Sequence, residues 1–199
     1  MKLLPALLLA ALLAAPPLFA QTEILAGYRQ DFTTETDGTW PDGSKTGTWS
    51  VGFGSVFTPW VNFVKAKWDG LVYGDETRHF SSEGKFAILP GPNRSKYGAV
   101  IQWQAEKPGT VLITGKTGLV AKSSDAARFS IFHNEEKIYQ STAFGIPAQI
   151  HDLANPEPIK VKMGEGDRLF FVVDPAGEDN TGDDTIFVED LRITGKVGE

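Results

Sequence analysis

Residues 159–173 read Ile159-Lys160-Val161-Lys162-Met163-Gly164-Glu165-Gly166-Asp167-Arg168-Leu169-Phe170-Phe171-Val172-Val173. In the first five, apolar and cationic residues alternate strictly, the period of a strand with one face buried and the other wet. The last five are apolar on both faces, as in a central strand lying between a core and a second covering layer. Gly164 to Asp167 reads as a short hairpin-like connection, where glycine takes positive φ without steric cost. Beyond the N-terminal leader, no window sustains apolar residues at i, i+3, i+4 and i+7 over three turns. The chain is all-β.

The same punctuation runs outward in both directions. Ala105-Glu106-Lys107-Pro108-Gly109 joins two further apolar runs, with Pro presetting φ and Gly following it in a turn. Candidate strands fall at 26–33, 46–53, 55–64, 67–73, 85–89, 98–104, 109–115, 127–133, 136–141, 158–163, 167–174 and 185–195. Strands at this spacing with turn signals between them predict an antiparallel two-sheet β-sandwich. Segments 34–45, carrying Trp40, and 142–157 lack strand pattern and read as loops. No repeat or linker divides residues 21–199, which are expected to form one domain.

Acidic residues outnumber basic ones 25 to 19 over 199 residues, a net charge of -6, so there is no cationic surface for phosphate backbones and nucleic acid is excluded as a partner. The absence of Cys excludes disulfides, thiolate nucleophiles and Cys-ligated metals. Residues 1–20, MKLLPALLLAALLAAPPLFA, have a charged start, an apolar centre and a small residue before the cut, the layout of a secretory signal peptide. Pro5, Pro16 and Pro17 interrupt a stretch too short for a membrane anchor. Cleavage is expected after Ala20, with Ala15 as the alternative; no membrane anchor is expected after its removal. The product is exported, periplasmic or extracellular, and holds its fold by packing alone.

In order, the segments GTWSVGFG (47–54), VKAKWDG (64–70), ILPGP (88–92), AVIQWQAEKPGTVLITGK (99–116), ARFSIFHNEEKIY (127–139) and GDRLFFVVDPAGEDNTGDDTIFVEDLRITG (166–195) form a pattern. It resembles the secreted bacterial jelly-roll, carbohydrate-binding-module-like β-sandwich, over about residues 30–195. Where many such domains carry His-Pro-Gly before the Trp-bearing strand, this chain has Leu89-Pro90-Gly91. The resemblance implies a jelly-roll fold and a glycan or cell-envelope polymer as ligand. It brings no catalytic residues with it.

Sugar sites stack aromatic rings on pyranose faces and flank them with polar groups that fix orientation. Trp49 and Trp103 lie inside strand patterns and are expected in the core. Trp40 in a polar loop, Trp60 after Thr58-Pro59, and Trp68 close to Tyr73 are the candidate stacking residues; Asn93, Arg94 and Tyr97 add an amide, a cation and a ring in one loop. Calcium needs six to eight oxygen ligands, and Asp179, Asn180, Asp183 and Asp184 around Gly182 are the densest group of hard oxygen donors. An ordinary polar hairpin is the favoured reading there, with a structural calcium as the alternative and no other cofactor expected.

For catalysis, His79, His133 and His151 are scattered, and no metalloprotease, serine-hydrolase or phosphate-loop motif occurs. The one local grouping suited to a polysaccharide lyase is Tyr73, Arg78, His79 and Lys85. Three readings follow: an exported non-catalytic module that binds glycan, a small lyase or glycoside hydrolase on the same scaffold, or a structural or adhesion domain.

Overall fold

The computed structural model describes residues 23–34, 37–68, 72–74, 79–81, 86–88, 97–119, 127–141, 150–175 and 186–197. Among these, strands β1 (Glu23–Gly27), β2 (Thr39–Pro41), β3 (Gly47–Ser55), β4 (Val64–Lys65), β5 (Val72–Gly74), β6 (His79–Ser81), β7 (Phe86–Ile88) and β8 (Tyr97–Ala105) come first. They are followed by β9 (Gly109–Leu119), β10 (Ala127–His133), β11 (Glu136–Gln140), β12 (Ile150–Asp152), β13 (Ile159–Met163), β14 (Arg168–Pro175) and β15 (Ile186–Val197). One sheet runs β12-β9-β15-β7-β6-β5, with β13 also on β9 and β1 on β15. The other runs β11-β10-β14-β8-β3-β2, with β4 also along β3. The chain is a two-sheet antiparallel β-sandwich of jelly-roll type, as its sequence predicts.

The core lies between the sheets. Val111, Ile113, Val161, Met163 and Ile193 from one sheet meet Trp49, Val51, Ile101, Trp103, Phe129 and Phe171 from the other, all buried. Burying each such side chain contributes about 1.5–3 kcal/mol. The alternation of Ile159–Met163 does what its period demands: Val161 and Met163 face inward and Lys160 and Lys162 face solvent.

Gly164–Asp167 is not a hairpin. β13 pairs with β9 in one sheet, while β14 pairs with β10 and β8 in the other. A strand apolar on both faces must lie where both faces are covered, and β14 finds that cover in the second sheet. The turn therefore crosses between sheets, as does 105–109. The two crossings are laced together: Ala105 N–H donates to the Asp167 carbonyl at 2.9 Å and Gly166 N–H to the Ala105 carbonyl at 2.8 Å.

The layer over β14 comes from 55–64, expected as a strand and found instead as a cap. Beyond Ser55 the chain turns, with the Ser55 hydroxyl accepting from the N–H groups of Phe57 and Thr58 at 3.2 Å each. It lies on the outer face of the second sheet, where Val56, Trp60 and Phe63 pack on Val100, Phe132, Phe170 and Val172. Gly52 makes room for the return: a Cβ there would collide with the Val64 carbonyl and sit 2.9 Å from the Phe63 ring.

Segment 26–33 also departs from expectation. β1 stops at Gly27 and one helical turn, Tyr28–Asp31, follows. Asp31 explains the turn, since its Oδ2 accepts from Gly27 N–H at 2.9 Å and from the Trp49 indole at 3.0 Å. Asp42 anchors the Trp103 indole in the same way, accepting from Trp103 Nε1 at 3.1 Å and from the Thr46 backbone N–H and hydroxyl at 2.9 and 3.1 Å. Burial pushes the Asp42 carboxyl up, against the hydrogen bonds from Thr46 and Trp103 that pull it down. These two carboxylates tie the polar stretch 31–46 to the core.

Candidate functional site

Of the expected stacking residues, Trp40 and Trp68 both meet Tyr73, but Trp40 and Tyr73 lie inside the protein. Trp40 lies in β2 rather than in an exposed loop and is 1% exposed, and Tyr73 is 0% exposed. Their rings stack at 5.8 Å, with Phe32 at 5.2 Å from Trp40 and Trp68 edge-on to Tyr73 at 5.0 Å. Gly38, at φ +62, sets up this packing: the turn brings it against the Ala66 backbone, and only then does Trp40 point inward. A ring with no exposed face cannot stack on a sugar, so Trp40 and Tyr73 are core residues. The Tyr73 hydroxyl donates to the Thr33 carbonyl at 2.6 Å, which also removes it from the lyase grouping as an accessible base.

Trp60 is half-buried in the cap, with its ring edge-on to Phe132 at 5.8 Å, and Trp68 is half-buried at the sandwich edge. The backbone of Tyr97 begins β8 opposite Ser55. Asn93, Arg94, Asp179, Asn180, Asp183 and Asp184 lie outside the described residues, as do Arg78 and Lys85. His133 meets Asp167 at 3.1 Å and His151 lies in β12, where burial holds its imidazole below the ordinary range. Among the described residues no three His, Asp or Glu side chains gather in a way that holds a metal ion. No helix among them is long and apolar enough to cross a membrane.

Register brings a different set of residues together. On the second sheet, Thr39 is opposite Ser50, Ser50 opposite Gln102, and Gln102 opposite Phe170. One row along, Thr48 is opposite Gln104 and Gln104 opposite Arg168. Alternation puts all of these on the outer face, because Trp49, Val51, Ile101 and Trp103 between them point into the core. The cap covers one half of this face and leaves the other half as an open groove of about 430 Å³.

Hydroxyls and amides of Thr39, Thr48, Ser50, Gln102 and Gln104 line the groove; Phe63 and Lys65 border it from the cap side, and Glu106 and Arg168 complete its lining. The Thr39 and Ser50 hydroxyls lie 3.2 Å apart, and the Thr48 hydroxyl donates to Glu106 Oε1 at 2.9 Å. The Arg168 guanidinium rests over the Phe170 ring at 5.8 Å. Gln102 is only 7% exposed, so its amide is presented from a well-packed strand. Chemically the groove offers donors and acceptors at fixed spacing, one aromatic edge and two cations.

The cap also exposes apolar side chains: Phe57 is 63% and Val61 62% exposed. The sequence holds a signal for the groove in Thr48-x-Ser50 and Gln102-x-Gln104, polar pairs at a spacing of two on central strands. Only the strand order shows that they lie side by side.

No protein-family profile matches the chain, and no curated protein matches it. Among solved structures it is similar to CBM51 from Clostridium perfringens GH95 in complex with methyl-galactose, at 13% identity over 84% of this chain and 98% of that one, with a TM-score of 0.43. It is similar to the CBM22-1 xylan-binding domain of Paenibacillus barcinonensis Xyn10C, at 15% identity over 89% and 97% of the two chains, with a TM-score of 0.41. A third similar structure holds the CBM51-2 and INT domains of Clostridium perfringens ZmpB with GlcNAc, at 15% identity and a TM-score of 0.41. There the match covers 59% of this chain and 23% of that one. These likenesses concern the arrangement of strands, and no residue role is carried across from them.

Proposed function

We propose that the protein is an exported β-sandwich module that binds a glycan in the groove across β14, β8, β3 and the edge strands β2 and β4. The observation that carries this reading is the double row of hydroxyls and amides, Thr39-Ser50-Gln102 and Thr48-Gln104, on strands fixed by the core beneath them. Sugar hydroxyls need donors and acceptors at set positions, and a site on rigid strands loses little entropy when it binds. Phe63 supplies an apolar surface for a pyranose face. The leader-like residues 1–20 support export.

A glycan array with residues 21–199, followed by titration of Gln102→Leu and Gln104→Ala variants, tests the proposal. Each substitution is expected to weaken binding at least tenfold while thermal unfolding stays within a few degrees. Undiminished binding by both variants refutes the groove. Shortened or unsaturated products on incubation with a bound glycan would select the enzymatic reading over a binding module.

A further inference from the structure

We infer that the groove takes a glycan bearing carboxylate groups, with Lys65 and Arg168 each meeting a carboxylate on a different sugar residue. The inference rests on the groove being a glycan site and deepens that reading.

Acidic residues outnumber basic ones 25 to 19 in this chain, yet neither groove cation forms an ion pair among the described residues. The ion pairs found there are Arg128–Asp174, His133–Asp167 and Arg192–Asp190. The acids nearest in sequence or place are engaged elsewhere. Asp167, adjacent to Arg168, accepts from Gly164 N–H at 2.6 Å and meets His133 Nε2 at 3.1 Å through Oδ2, and accepts from Asn134 Nδ2 at 2.9 Å through Oδ1. Glu106, the one acid in the groove lining, is held by Thr48. The groove therefore carries an excess of one positive charge in a protein whose net charge is -6.

Geometry narrows the ligand further. Arg168 is restrained at both ends: its backbone N–H donates to Asn134 Oδ1 at 2.9 Å, and its guanidinium lies over Phe170. A planar fork held in this way suits the two oxygens of a carboxylate. Lys65 on β4 lies three strands across and four residues along from Arg168, because its row runs through Gly52, Val100 and Val172, and the two backbones are roughly 19 Å apart at the usual strand spacings. That is too far for both cations to share one carboxylate and suits a polymer lying across the strands. A neutral glycan over the same surface would strip water from two cations and return only neutral oxygen acceptors, with no counter-charge.

The test titrates the protein with polygalacturonate, alginate and glucuronate-substituted xylan, each beside its methyl-esterified form, at two salt concentrations. Arg168→Gln and Lys65→Gln are compared with a double Lys160→Gln/Lys162→Gln variant on the opposite sheet, which controls for general attraction of polyanions. The expected result is binding of at least one carboxylate form, tenfold or more tighter than its ester and weaker at high salt. Each groove variant should lose about fivefold or more, and the opposite-sheet variant should match the wild type. Equal binding of acid and ester, or binding only of neutral glycans on the array, overturns the inference and leaves the groove standing as a glycan site. Loss confined to the Lys160/Lys162 variant overturns it by moving the site to the other sheet. Binding of no glycan at all overturns both readings.

Discussion

Replacing Asp42 by alanine removes the acceptor from three donors at once: Thr46 N–H, the Thr46 hydroxyl and the Trp103 indole N–H. The hydroxyl can rotate to another acceptor. The backbone N–H and the indole cannot, and Trp103 is fully buried. Orphaning a buried donor costs about 1–3 kcal/mol, so Asp42→Ala should lose about 4 kcal/mol, a large share of the 5–15 kcal/mol typical of a domain. Asp42→Asn keeps one acceptor oxygen in place and should lose about 1–2 kcal/mol.

Urea unfolding followed by tryptophan fluorescence measures both. With a slope of about 2 kcal/mol/M, the alanine midpoint should fall by roughly 2 M. The titration adds a second signature. Burial raises the Asp42 carboxyl above its unfolded value, so the folded protein holds this proton more tightly than the unfolded chain does. Stability from the group is then complete below the unfolded pKa of about 3.9 and declines as pH rises through the folded value. Asn does not titrate, so its deficit relative to wild type should shrink between acid and neutral pH. Equal losses for Ala and Asn would refute the assignment of Asp42 as an indole anchor, and an Asn deficit that grows with pH would refute burial as the dominant influence on its carboxyl.

Asp167 should behave in the opposite sense. The Gly164 N–H, with Asn134 and His133, holds its carboxyl below the ordinary range, so its stabilisation is present above about pH 3.9 and fades as pH falls through the folded value. Melting curves of Asp167→Asn against wild type should therefore diverge at pH 7 and converge near pH 2–3. Among the aromatic residues, Trp40→Ala and Trp103→Ala should each cost about 3–5 kcal/mol, whereas Phe57→Ser on the exposed cap should change stability by less than about 0.5 kcal/mol. A Trp40→Ala variant as stable as Phe57→Ser would show that Trp40 is not the core residue described.

How far the residues disclosed this architecture depends on the range of the interaction involved. Period-2 alternation is local, so the strands at 127–133, 159–163 and 168–175 were legible within a residue or two. The double-sided apolarity of Leu169–Val173 correctly demanded a second cover. What that cover is could not be read, because 55–64 has the composition of a strand, and its fate is set by Gly52 and by the apolar patch at Phe132 and Phe170, far away in sequence. Trp40 and Tyr73 misled for a similar reason. A tryptophan among Asp, Gly and Pro reads as exposed, and only the turn at Gly38 and the indole-binding carboxylates fold that polar stretch over the core. The groove was hidden because its residues are ordinary polar positions on five strands, and no local pattern reports strand order.

β1 and β15 pair antiparallel, with Glu23 opposite Gly195 and Gly27 opposite Arg192. Residues 23 and 195 are therefore immediate neighbours, and among the described strands β1 pairs with β15 alone. Tension applied through the chain on either side of this pairing would load the inter-strand hydrogen bonds one after another, because those bonds run perpendicular to the strands. The pair would open like a zipper rather than resist in shear. A tethered protein of this design would yield first at β1, at modest force, while β9, β15 and the groove-bearing sheet stayed folded.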